Sequence, residues 1–166
     1  EQANKSTHKV NTFALAPIIA AKNLGYKLYQ GINCNYPETV VDEDFNITFY
    51  DQHSYRSIFA IKDNWIAFRN LLNFLKKHPD IEVIHCNTPI GGFVGRVCGK
   101  LCGVKTVIYT AHGFHFFKGA PLFNRTILMW IEKLMAHWTD VLITMNEEDY
   151  ITAQKMHLRD NGKVFK

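Results

Sequence analysis

The chain has 166 residues, 47% of them apolar and 20% charged, with a formal net charge of +4. That length suits one domain over residues 1–166, and the composition excludes disorder and permits a substantial core. The positive excess is mild. It fits a membrane surface or a phosphate-bearing ligand and calls for no nucleic-acid partner.

In chain order, residues 11–24 hold apolar positions at helical spacing, with Pro17 near the start and Gly25 as a natural stop. Residues 26–32 and 45–50 read as strands. Residues 62–78 form an amphipathic helix pattern, with Trp65, Phe68, Leu72 and Leu75 recurring at three- and four-residue spacing. Pro79 ends it. An apolar strand over 81–86 leads through a Gly-rich turn into a helix over about 92–101. Residues 105–110 are a strand rich in β-branched side chains. A long helix over 121–138, a strand over 141–145, a helix over 147–157 and a strand start at 163–166 complete the pattern. Strands alternating with helices imply βαβ units, an α/β class and a mainly parallel sheet. Ligands of such sheets bind beyond the carboxyl ends of the strands, so the turns after Cys86, Thr110 and Met145 are the places to look.

The first of these turns is His85-Cys86-Asn87-Thr88-Pro89-Ile90-Gly91-Gly92. Asn87 and Thr88 suit sugar hydroxyls, and Gly91 and Gly92 sit in the turn, where ligand approach and plain turn geometry weigh about evenly. Gly91, Gly95, Gly99 and Gly103 recur every four residues, a stripe that lets a helix pack closely. A dinucleotide site is disfavoured, because no complete G-x-G-x-x-G is present and no acidic residue ends the next strand.

The second is Thr110-Ala111-His112-Gly113-Phe114-His115-Phe116-Phe117-Lys118-Gly119. A His followed by Gly directly after a buried strand is placed to face the crevice. His112 and His115 lack further ligands at zinc spacing. Lys118, Arg125, Trp130 and Lys133 mark this loop and the next helix as a candidate contact with an anionic membrane, against a reading of its aromatic residues as core.

Three other features take plainer readings. The four cysteines, Cys34, Cys86, Cys98 and Cys102, read as buried reduced thiols. Asp42-Glu43-Asp44 contains D-x-D but reads as a solvated turn, and Asn146-Glu147-Glu148-Asp149 reads as a capped helix start. No signal peptide opens the chain and no apolar run reaches membrane-spanning length, so a cytoplasmic or membrane-peripheral protein is expected.

The stretch VIHCNTPIGGFVGRVCGKLCGVKTVIYTAHGFHFFKGAP, followed by IEKLMAHWTDVLITMNEEDY, resembles the N-terminal domain of family-4 retaining glycosyltransferases, especially capsular and exopolysaccharide enzymes. Weaker similarity extends back through NTFALAPIIAAKNLGYKL. The resemblance implies a Rossmann-like three-layer α/β/α domain, the acceptor-side half of a two-domain GT-B architecture. A C-terminal domain beyond Lys166 would then grip the nucleotide sugar. It also implies that His112 matches the family's active-site histidine, which contacts the donor sugar, and that Thr88–Gly92 border the acceptor. Asn87 and Gly113 complete the expected set. Neither metal nor cofactor is implied, and the expected partners are a nucleotide-sugar donor and a lipid-linked or saccharide acceptor at the inner face of the membrane. One departure is that the family's opening strand and glycine-containing loop are not evident before Thr12. The rival readings are a nucleotide-sugar 2-epimerase of related architecture and a non-catalytic binding module.

Overall fold

The computed structural model describes residues 12–33, 40–42, 46–53, 57–117, 119–159 and 161–166, and the chain divides into two compact units, residues 1–52 and 53–166. Residues 1–11, and with them any opening strand, lie outside the described residues, as do Cys34, Glu43, Asp44 and Lys118.

In the first unit, helix α1 (Thr12–Asn23) ends at Gly25, whose φ of +78° is a conformation that glycine adopts without strain. Three strands follow: β1 (Leu28–Ile32), β2 (Val40–Asp42) and β3 (Ile47–Asp51). They form a sheet in the order β1-β3-β2, with β1 parallel and β2 antiparallel to β3. Ile18, Ile47 and Phe49 are its small core, packed by Leu28 and Ile32. Strand β2 is not foreshadowed by the sequence pattern. It places Asp42 at the end of a strand, where the sequence suggests a turn.

The second unit alternates strictly. Helix α2 (Ile61–Lys77) precedes β4 (Val83–Asn87), α3 (Pro89–Cys102), β5 (Thr106–Ala111), α4 (Met129–Ala136), β6 (Val141–Thr144), α5 (Glu147–Ala153) and β7 (Lys163–Phe165). The four strands are parallel in the order β4-β5-β6-β7, which bears out the α/β class and the Rossmann-like reading. Cys86, Tyr109, Ala111 and Leu142 share a core with Ala136 and Ala153, so α4 and α5 cover one face of the sheet.

Helix α3 lies on that same face, and its glycines show why. A Cβ on Gly92 would meet the Tyr109 ring at 2.3 Å, one on Gly95 would meet Cys86 Cβ at 2.7 Å, and one on Gly99 would meet Val107 at 3.0 Å. The close-packing stripe is therefore Gly92, Gly95 and Gly99. This corrects the four-residue repeat, because Gly103 is instead the left-handed C-cap of α3 and Gly91 faces Thr88. Gly95→Ala should cost about 1–3 kcal/mol of stability through overpacking against Cys86. Urea denaturation checks this, and an unchanged midpoint would show that the helix can back away freely.

The helix expected over 121–138 is present but not uniform. A π-helical turn, Asn124–Leu128, precedes α4, and the Thr126 hydroxyl donates to Leu122 O at 2.8 Å. The exposed residues of this segment include Leu122, Phe123, Ile127 and Trp130, so much of its apolar surface is not core.

Candidate active site at the carboxyl edge of the parallel sheet

Register sets the geometry. Asn87 of β4 pairs with Thr110 of β5, so the loops that leave these strands start side by side. Side chains alternate along a strand. Cys86 and Tyr109 point to the α3 face, which sends His85, Asn87 and Thr110 to the opposite one. There His85 Nε2 lies 2.8 Å from Thr110 Oγ1, and His112 Nε2 lies 3.3 Å from Asn87 Oδ1. The second contact requires the ring N–H to donate to the amide oxygen. In the neutral ring that leaves Nδ1 as the acceptor nitrogen.

Burial lowers the pKa of His85, and the charge of His112 lowers it further. His85 thus stays neutral at pH values where an ordinary histidine would titrate. His112 is exposed at the edge of the sheet. Of the two, His112 is the more exposed and His85 is half-buried.

The turn after β4 is strained. Thr88 holds φ 64° and ψ 158°, a region populated almost only by glycine, at a cost of about 1–3 kcal/mol. It stands at the N-cap of α3, with no side-chain cap bond and with Pro89 in the first helical turn. The sequence suggests a turn at Gly91 and Gly92, and the structure moves both into the first turn of α3. Gly92 is buried against Tyr109 and donates its N–H to Thr88 O at 2.7 Å. Its lack of a side chain is accounted for by packing alone. Gly91 is half-buried, 3.2 Å from Thr88 Oγ1 at its Cβ position.

The second loop is anchored from below. Gly113 has φ +140°, a backbone that side-chain-bearing residues rarely adopt. Phe114 is buried and stacks on Phe116 at 4.7 Å between ring centroids. Its N–H donates to Asp149 Oδ2 at 3.1 Å. Asp149 is itself buried, and Asn146 caps α5 by accepting the Asp149 N–H at 2.8 Å. The acidic cluster is thus the capped helix start that the sequence suggests, and Asp149 in addition ties down the loop that carries His112. The sequence pattern assigns Asp149 only to the helix, because its partner lies 35 residues away.

The structure therefore brings Asn87 and His112 together, sets Thr88 and Gly91 at the adjoining helix start, gives Gly113 a bend that suits glycine, and turns Gly92 into the packing. Cys86 and Cys98 are buried, and burial pushes both thiols up to about 12, which makes them unreactive at neutral pH. Among the described residues no helix is long and apolar enough to cross a membrane.

Comparison with known proteins agrees with this architecture. The description Glycosyltransferase Family 4 matches residues 34–160. EpsD of Bacillus subtilis (strain 168), provisionally named a glycosyltransferase, is 36% identical over 148 residues, covering 87% of this chain and 36% of that protein. The UDP-Gal:alpha-D-GlcNAc-diphosphoundecaprenol alpha-1,3-galactosyltransferase of Escherichia coli is 30% identical over 115 residues, 64% of this chain and 29% of its own. An uncharacterized 41.2 kDa protein in the cps region of Klebsiella pneumoniae is 31% identical over 78 residues, 45% of this chain and 22% of its own. The chain thus spans about a third or less of each of these relatives. A family match over most of its length, on a parallel α/β framework with a histidine at the sheet's carboxyl edge, shows that the chain belongs to glycosyltransferase family 4.

Proposed function

We propose that this chain is the acceptor-side half of a glycosyltransferase that moves a sugar from a nucleotide-sugar donor to a lipid-linked or saccharide acceptor in bacterial surface-polysaccharide assembly. On this reading the sugar is a hexose or close relative, its anomeric configuration is retained, and neither metal nor cofactor takes part. The observation that carries the proposal is the pairing of His112 with Asn87 beside the strained start of α3, at the carboxyl edge of a parallel sheet.

The chemistry follows from that pairing. Asn87 orients the His112 ring through Nε2, and an imidazole so placed at the edge of the sheet can hydrogen-bond a sugar hydroxyl. A front-side transfer builds positive charge on the sugar ring and negative charge on the leaving diphosphate. An imidazole held against the sugar orients it, and correct placement alone lowers such barriers by several kcal/mol. Thr88, Gly91 and Gly113 border the acceptor, where a short, open backbone lets a saccharide approach.

Support for a lipid-diphosphate acceptor comes from the Escherichia coli relative, whose name specifies one for that protein. Transfer then takes place at the inner face of the cell membrane, where such an acceptor lies. The donor nucleotide is gripped mainly by a second domain. The 166-residue chain by itself should therefore transfer no sugar and show no calorimetric binding of UDP or GDP, while the intact protein does both. Micromolar binding of either nucleotide to this chain alone would overturn the division of labour.

A further inference from the structure

On the helix-covered side of the second unit, α2, α3, α4 and the loop after β5 enclose a cavity of about 500 Å³. That is within the range of ~300–1,000 Å³ that accommodates small-molecule ligands. Its walls are mainly apolar, with Trp65, Phe68, Phe93, Phe116, Leu128 and Ile131 prominent. Its two ionisable wall residues on the facing helices cancel each other. Arg96 Nη2 donates to Glu132 Oε2 at 3.1 Å, and the guanidinium also lies 4.0 Å from the Tyr109 ring centroid. The cavity thus presents no uncompensated charge from this pair to whatever fills it.

The mouth is unlike an ordinary protein surface. Phe59, Ile61, Trp65, Leu122 and Trp130 are each at least 60% exposed, on two segments that also wall or flank the cavity. Apolar exposure on this scale marks an interaction surface. The exposed charges among the described residues of 57–69 and 119–137 are mainly basic, Lys62, Arg69, Arg125 and Lys133, with the part-exposed Asp63 carboxylate as the acidic exception. Of the acidic residues of those segments, Glu132 is neutralised by Arg96, while Asp63 hydrogen-bonds His53 at 2.9 Å and adds one carboxylate to the basic majority. An apolar hollow walled by aromatic residues, on segments whose exposed charge is mainly basic, complements a ligand with a hydrocarbon chain and an anionic head.

The cavity lies on the α3 face, opposite the Asn87 side chain, and reaches the candidate active site at the carboxyl edge of the sheet. Its wall includes Pro89 and Ile90, directly after Asn87-Thr88, and Gly113, directly after His112. We infer that this cavity receives the first part of the prenyl chain of a lipid-diphosphate acceptor, leaving its sugar end at Asn87 and His112. The inference rests on the acceptor class proposed above and adds a seat for the lipid.

Photolabelling of the intact protein with a diazirine-bearing farnesyl diphosphate tests it. Label is expected within residues 58–68, 89–96, 113–116 and 128–132, reduced at least tenfold by excess unlabelled farnesyl diphosphate and unaffected by inorganic diphosphate. Ile131→Trp, which fills the hollow from a partly exposed position, and Phe93→Arg, which places a charge on its wall, should each cut labelling about tenfold without loss of fold. Label elsewhere, label that inorganic diphosphate displaces, or full labelling of a folded variant would overturn the assignment. Absent label in a protein that sediments as a dimer would also overturn it and give this face to a second copy. Labelling is read without sugar donor. A protein that takes the chain but transfers no sugar would sink the transferase reading alone, and one that transfers sugar but takes no chain would sink only the cavity.

Discussion

Replacing His112 by alanine in the intact enzyme should lower turnover by about two orders of magnitude or more while leaving the fold unchanged. The expectation follows from where the side chain stands. His112 is exposed, follows the last residue of β5, and holds its ring against the Asn87 amide at the edge of the sheet. Its removal opens no cavity and strands no buried polar group, so the melting temperature should hold. On the proposed function, what is lost is an imidazole held by a neighbour's amide where the sugar would lie. Asn87→Ala should act in the same direction with a smaller effect, because the ring remains but is less constrained. His115→Ala should cost least of the three, since His115 lies on the cavity wall rather than beside Asn87. Turnover and thermal melting measured together decide the matter. A His112→Ala enzyme that melts normally and transfers sugar at the parent rate would remove this residue from the site.

The largest expected effect on stability lies elsewhere. Arg96 is buried to 1% exposure and grips Glu132 with two hydrogen bonds, of 2.5 and 3.1 Å, while its Nε donates to Gly92 O at 2.8 Å. Burial opposes its charge, but the Glu132 carboxylate overrides that and holds its pKa above the ordinary value. Arg96→Met would leave the Glu132 carboxylate buried without its partner, and breaking such a pair costs about 3–5 kcal/mol. Replacing both, as Arg96→Met with Glu132→Leu, should recover most of that loss, because an apolar pair of similar volume avoids the desolvation of two ions. Chemical denaturation of the two single variants and the double variant checks it. Equal loss in the single and double variants would mean that packing on Tyr109, and not charge, is what Arg96 supplies.

The contrast between these two residues shows what is legible in the sequence. His112 can be found because its signal is local: a histidine and a glycine directly after a β-branched run. Arg96 and Glu132 sit on different helices, 36 residues apart, and nothing in either segment names the other. The same division runs through the fold. Helix α2 is legible from its three- and four-residue apolar spacing, and β5 from its composition. Strand β2 is not, since three residues carry too little pattern and its pairing with β3 is tertiary. The start of α3 falls three residues before its expected place, at Pro89 rather than Gly92, because Gly91 and Gly92 look like turn residues. Gly92 is in fact required by the Tyr109 ring beneath it. Asp149 gives an ordinary helix-start signal, and its hold on the His112 loop emerges only once α5 packs on β6, the neighbour of β5. The apolar cavity is hidden for the same reason, since its walls come from segments far apart in the chain.

Hydrogen–deuterium exchange of the intact protein, with and without a lipid-diphosphate-linked saccharide acceptor, tests the central assignment most directly. If this half takes the acceptor, the acceptor alone should slow exchange in residues 87–93 and 112–116. A nucleotide sugar alone should protect the part of the protein beyond Lys166 more than it protects these loops. Acceptor-dependent protection confined to that other part, with residues 87–93 and 112–116 exchanging as before, would contradict the account.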